Sequence, residues 1–215
     1  MKHIMGPQSA STLSNVQDGD VQPNAVDLRV GNIFLIRPST FTITEEDKTH
    51  RGSVALKPGP DGFYVLPEGH YEVVMENIIE VGEGEAGWVI TRSTLNRNGV
   101  FLTSGLYDTG YHGVMAAVMH VTCGPMRIKK GTRIGQYLSF NAEALHKYDG
   151  SYGIGKDHDA KYEAPQQPAP VVEFTQAPKI TMFDIEPVAQ PQEQLQEQTQ
   201  EQPQKRGRGR PKKVA

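Results

Sequence analysis

What most limits how this chain can fold is its punctuation. Short apolar runs are broken again and again by turn-forming residues, and no long helical pattern intervenes. The 22 glycines and 15 prolines supply those turns. Such a chain builds a β-rich domain with many tight connections. Tyr71, Val73 and Met75 alternate with Glu72, Val74 and Glu76, the period of a half-buried strand. Residues 114–121 are apolar enough for a buried strand, and 126–140 read as strand, turn, strand. Residues 40–57 read as a hairpin around the charged loop E-E-D-K-T-H-R. A hydrophobic content of 37% allows one mid-sized core and leaves room for tails.

Composition divides the chain further. Residues 1–21 are polar and predict a flexible arm, with scope for a short helix or a contact with a neighbouring subunit. Residues 22–163 form the expected folded domain. Residues 164–204 are rich in Pro and Gln and predict a disordered linker, with M-F-D-I near Met182 as its one apolar cluster. Residues 205–215 make a basic tail, so the remainder is more acidic than the net charge of −3 implies. The single cysteine, Cys123, rules out an intrachain disulfide and predicts a packed or inert thiol in a reducing setting. No apolar run approaches the ~18 residues of a membrane span, and the first residues lack a secretory apolar stretch. The expectation is a soluble, cytoplasmic protein with no membrane partner.

Residues 92–121 concentrate the chemistry. Arg92 and Arg97 lie close to Ser93 and Thr94, a mixture suited to phosphate. Asp108, in Y-D-T-G-Y before a strand, can orient or deprotonate a water. The plainer reading is a surface turn with a capping aspartate and two solvated arginines.

Several segments resemble one enzyme superfamily, in order. T-R-S-T-L-N-R-N-G resembles R-S-S-L-A-R-x-G of dCTP deaminases and P-R-S-G-L of dUTPases. L-Y-D-T-G-Y-H-G resembles I-D-P-G-W-x-G and I-D-S-D-Y-x-G of the same enzymes. A-V-D-L-R-V-G-N resembles the start of dCTP deaminases, K-G-T-R-I-G-Q the P-G-x-R-I-A-Q of dUTPases, and D-A-K-Y the end of the deaminases. The chain is identified as a member of the dUTPase and dCTP deaminase superfamily. The resemblance implies an all-β, distorted jelly-roll or β-barrel subunit with one short helix around residues 92–97. It also implies a homotrimer with sites between subunits, a deoxynucleoside triphosphate substrate and a Mg2+ cofactor.

Residue by residue, the resemblance assigns Asp108 the catalytic water. Arg92, Ser93, Thr94, Arg97, Gln136 and Lys161 would bind phosphate, and Tyr111 would pack under the deoxyribose. Asp27 would organise the site or act on magnesium through water. Two of these keep an alternative: Asp27 as a strand aspartate paired with Arg29 or Arg37, and Gln136 as an amide satisfied by backbone.

Two reactions run on this fold. Deamination of dCTP needs a proton-carrying glutamate, and its position falls on Val118, which cannot carry a proton. His120 is the nearby substitute, although such a histidine is more often satisfied structurally. Hydrolysis between the α- and β-phosphates needs only a carboxylate, cations and magnesium. The expected function is therefore a pyrophosphatase acting on dUTP or a related deoxynucleotide. A dCTP deaminase, or a catalytically silent nucleotide- or DNA-binding protein, is the alternative. The glycine-rich closing segment places Asp149 and Ile154 where dUTPases carry arginine and phenylalanine, so the base is open. Finally, Arg208, Gly209, Arg210 and Pro211 resemble an AT-hook, which implies binding to A·T-rich DNA in the minor groove. A solvated basic tail would show the same charges.

Overall fold

The computed structural model describes residues 1–163. In chain order the elements are β1 (Thr12–Leu13), β2 (Val26–Ile36), β3 (Thr42–Ile43), β4 (Lys48–Thr49), β5 (Ser53–Ala55), β6 (Phe63–Leu66), β7 (Gly69–Glu80) and β8 (Glu85–Thr91). There follow α1 (Ser93–Asn96), β9 (Val100–Thr103), β10 (Leu106–Tyr107), β11 (His112–Val121), β12 (Met126–Lys129), β13 (Arg133–Asn141) and α2 (Ala160–Glu163). The main sheet runs β10-β8-β13-β2-β7-β11-β9, with β1 added along β7 and β5 along β2.

Only Ser104 and Gly105 separate β9 from β10, so the two ends of that order must meet and the sheet curls. Side chains, not a ladder, close the gap. Leu102 N donates to Thr91 Oγ1 at 2.6 Å, and Ser104 Oγ bonds the backbone of Val89 at 3.3 Å. The result is the β-rich domain that the turn-rich pattern predicts, in the distorted all-β form that the resemblance implies.

The core follows the period of two. Tyr71, Val73 and Met75 of β7 pack with Met115, Ala117 and Met119 of β11, all buried. Truncating such a residue, Met119 for example, costs about 2–5 kcal/mol. The helix α1 is short for local reasons. Arg92 caps it in extended conformation without a side-chain bond, Leu95 is its one buried residue, and Gly99 at φ +68° turns the chain into β9.

Several expectations change. Residues 1–21, read as a flexible arm, are packed. Lys2 N donates to Ser139 O at 2.7 Å, Ile4 joins the core, and β1 pairs with β7. The physical reason is Glu85, whose side chain is 1% exposed. Its Oε1 accepts from Lys2 Nζ at 2.9 Å and Ala10 N at 2.7 Å, and its Oε2 from Ser9 Oγ at 3.0 Å and Ser11 Oγ at 2.6 Å. A buried carboxylate needs donors, and the polar arm supplies them. Residues 40–57 do not form one hairpin. β3 pairs with β4, and β5 joins β2 instead.

Cys123 is exposed rather than packed. A second short helix, α2, was not foreseen. No helix among the described residues is long and apolar enough to cross a membrane. The linker 164–204 and the basic tail, with Arg208, Gly209, Arg210 and Pro211, lie outside the described residues.

Candidate functional site

Five of the predicted residues, Asp27, Arg92, Gln136, Tyr111 and Lys161, fall at two places. The first is a cationic cradle built on β2, β8 and β13. Register sets Gln136 of β13 opposite Asp27 of β2. Gln136 Nε2 donates to Asp27 Oδ1 at 3.0 Å. Arg92 leaves the end of β8 with its backbone N–H bonded to Ile134 O, and its Nε lies 3.4 Å from Asp27 Oδ1. Arg133 Nη1 approaches Asp27 Oδ2 at 3.3 Å. Asp27 is 0% exposed, while the two guanidinium side chains are 29% and 36% exposed. One buried anion thus holds two partly exposed cations, each with further N–H groups to offer. Ser93, Thr94 and Arg97 stand exposed on or beside α1, next to Arg92 in the chain.

Asp27 therefore pairs with Arg92 and Arg133, not with Arg29 or Arg37; Arg29 is bound to Asp20 at 2.6 and 2.9 Å. Both Asp27 oxygens carry cationic or amide partners. That donor set suits an organiser of arginines and does not suit a metal ligand. Among the described residues no group of three or more His, Cys, Asp or Glu could hold a metal ion.

Arg133 escaped the sequence reading for a definable reason. It lies three positions before Gln136, which on a regular strand would put the two on opposite faces. A register shift between Arg133 and Gly135 turns it back towards Asp27.

The second place is a cavity of about 510 Å³ over β7 and β11. This is the size of a small-molecule site. Tyr107 and Tyr111 form one side, their rings edge to face at 5.3 Å. The register of β11 on β7 shifts between Val114 and Ala116, and the two hydroxyls bond carbonyls there: Tyr111 donates to Val114 O at 2.7 Å and Tyr107 to Ala116 O at 3.1 Å. Burial pushes both phenols well above their ordinary pKa. Asp108 is exposed and lies between these two tyrosines in the chain, at a turn where Tyr111 N donates to Asp108 O.

Lys161 also lines this cavity. It is bound there to Glu72, at 2.9 and 3.0 Å, an acid that the sequence marks only as one of the residues alternating with Tyr71, Val73 and Met75. Tyr162 hydroxyl donates to the same carboxylate. Burial opposes the charge on Glu72, but the hydrogen bonds from Tyr162 and Lys161 outweigh it and hold the group below its ordinary pKa. The glycine-rich closing segment crosses nearby, pinned by Gly153 N to Asp159 Oδ2 at 2.7 Å and Ile154 N to His112 O at 2.9 Å. Val118 lines the cavity, and His120 is engaged elsewhere, with His70 Nδ1 at 2.9 Å and Thr103 Oγ1 at 3.1 Å. The cradle and the cavity share no residue.

Comparison with known proteins agrees with this architecture. The family model described as dCTP deaminase-like matches residues 6–141, and the chain belongs to that family. A dCTP deaminase of Acidianus ambivalens is 29% identical over 148 residues, spanning 66% of this chain and 85% of that protein. A probable deoxyuridine 5'-triphosphate nucleotidohydrolase of Methanosarcina mazei is 32% identical over 149 residues, spanning 65% of this chain and 85% of that protein. The crystal structure of 2'-deoxycytidine 5'-triphosphate deaminase from Agrobacterium tumefaciens matches with a TM-score of 0.50 at 18% identity. It covers 64% of this chain and 45% of that one, and shows the shared fold.

Proposed function

We propose that this protein processes a deoxynucleoside triphosphate, and that it does so as a dUTPase-type pyrophosphatase acting on dUTP or a related deoxynucleotide. The observation that carries the reading is the cradle: buried Asp27 holds Arg92 and Arg133, with Gln136 beside them. Such a preorganised set stabilises charge that develops on a phosphate during displacement. Arg92, Arg133, Gln136 and Ser93 bind the phosphate oxygens, with Thr94 and Arg97 adding donors nearby. Asp108 orients a water and accepts its proton as the water oxygen attacks the α-phosphorus. The bond from that phosphorus to the bridging oxygen breaks, and pyrophosphate leaves. Tyr111 supports the sugar.

The cradle and the Tyr111 cavity lie in different parts of one subunit, which suits a homotrimer whose sites combine neighbouring chains. Magnesium, when present, supplies charge neutralisation to the triphosphate. Asp108→Ala tests the reading: hydrolysis is abolished while the trimer persists. Unchanged turnover would remove Asp108 from this role.

Deamination of dCTP is the second reading, and the name of the Acidianus relative favours it. Val118 weighs against it, because the proton-carrying position is apolar and His120 is already engaged. Nucleotide binding without turnover would leave a protein that keeps the fold for binding alone. The tail around Arg208, Gly209, Arg210 and Pro211 carries a separate role, weak and salt-sensitive binding to A·T-rich DNA, strengthened by avidity in a trimer.

A further inference from the structure

Arg133 of the cradle has a second anchor besides Asp27. Its Nη1 donates to Gly19 O at 2.9 Å and approaches Asp27 Oδ2 at 3.3 Å, while its Nε and Nη2 have no hydrogen-bond partner among the described residues. Those remaining N–H groups are the ones a phosphate can take. The carbonyl of Gly19 therefore helps to decide where they lie. It belongs to a tight turn, with Gly19 at φ +81° and Asp20 N donating to Gln17 O at 3.0 Å.

Asp20 fixes that turn. It is 0% exposed, so it has no surface to offer a ligand. Its Oδ2 accepts from Gln17 N at 3.0 Å and from Arg29 Nε at 2.9 Å, and its Oδ1 from Arg29 Nη2 at 2.6 Å. Its backbone O accepts from Asp27 N at 2.8 Å, which ties the turn to the residue that organises the cradle. Arg29 Nη1 then donates to Gly131 O at 2.8 Å, in the turn that leads into Arg133. Burial opposes the charge on Asp20, but hydrogen bonds from Arg29 and Gln17 N outweigh it and hold the group below its ordinary pKa. The pair thus joins the two backbone segments that place Arg133. A buried ion pair stabilises a fold no better than well-packed apolar side chains. What a two-toothed carboxylate–guanidinium contact adds is direction.

We propose that Asp20 is a positioning residue for the phosphate site: through Gly19 O and Arg29 it holds the Arg133 guanidinium in the orientation that meets the triphosphate. A binding group that stays in place but loses its aim loses much of its effect. The inference rests on the nucleotide reading of the cradle and deepens it.

The test is a double-mutant cycle on the full chain with magnesium, read by calorimetric binding of the α,β-imido analogues of dUTP, dCTP, dTTP, dATP and dGTP. Asp20→Ala should weaken binding of the preferred analogue about fivefold. In an Arg133→Met background the same change should alter the affinity by less than about twofold, because the group it positions is gone. A residue that merely supports the fold would cost the same factor in both backgrounds. Gly19→Val covers the case in which Asp20→Ala fails to fold. No atom lies within 4 Å of a Cβ at Gly19, but a β-branched residue cannot keep φ +81°, so the carbonyl must move and the same background-dependent loss is expected. Unchanged affinity in these variants, or an equal loss in both backgrounds, would overturn the role of Asp20 and leave the nucleotide reading standing. Binding of none of the analogues by the wild type would overturn the nucleotide reading itself, and this inference with it.

Discussion

Gln136 and Asp27 face each other across neighbouring antiparallel strands and are joined by a hydrogen bond of 3.0 Å. That bond fixes the amide beside a carboxylate which also holds Arg92 and Arg133. Arg133→Met should therefore weaken triphosphate binding roughly tenfold or more, since hydrogen bonds to charged groups are worth about 1.5–3 kcal/mol. Titration calorimetry checks this, and an affinity equal to wild type would place Arg133 outside the phosphate site.

Asp27→Asn should act mainly on stability. It removes the only charge described between two guanidiniums from a site that is 0% exposed. The two arginines left behind stay partly solvated, so the cost is that of the lost charge-assisted contacts, about 1.5–3 kcal/mol. Thermal melting reads the loss, and a melting temperature within a degree or so of wild type would contradict the account of the cradle.

The strands were legible because their alternation is simple. Tyr71, Val73 and Met75 point into the core as the period of two demands. The phosphate residues were legible because Arg92 and Ser93 lie side by side in one motif. What was not legible depends on pairing between distant segments. Arg133 joins the cradle only through a bulge, and Glu72 becomes a cavity residue only because β7 lies beside β11. Residues 1–21 looked loose because a polar segment gives no sign that Ser9 and Ser11 answer a buried Glu85.

Glu85 gives a pH prediction. Burial works against its charge, but hydrogen bonds from Ser11, Ala10 N, Lys2 and Ser9 prevail and pull its pKa from 4.5 to about 2. A folded pKa below the unfolded one means that the stabilisation is complete above about pH 5 and is lost as pH falls towards 2. The shift corresponds to at most about 3 kcal/mol. The protection of residues 1–13 against hydrogen exchange, relative to the intrinsic rate at each pH, should fall between about pH 5 and pH 3, and Glu85→Gln should show the same loosening at neutral pH. Equal protection across that range would show that the segment is held by something else.

On the proposed reading the basic tail acts apart from catalysis. Deleting residues 205–215 should remove salt-sensitive binding to A·T-rich duplex and leave turnover unchanged. Equal DNA affinity after the deletion would sink the minor-groove reading.

His120 offers a check on the deaminase alternative. Its ring nitrogens meet His70 and Thr103, so His120→Gln should leave any product formation from dCTP or dUTP within about twofold of wild type. A collapse of ammonia release would make it a proton carrier after all.

Hydrolysis at the α-phosphate is decided by its products. The full chain, with magnesium, is incubated with each deoxynucleoside triphosphate while pyrophosphate and ammonia are followed in parallel. Pyrophosphate and the monophosphate are expected in equal amounts, with no ammonia. Ammonia released from dCTP without pyrophosphate would contradict it and make the protein a deaminase despite Val118.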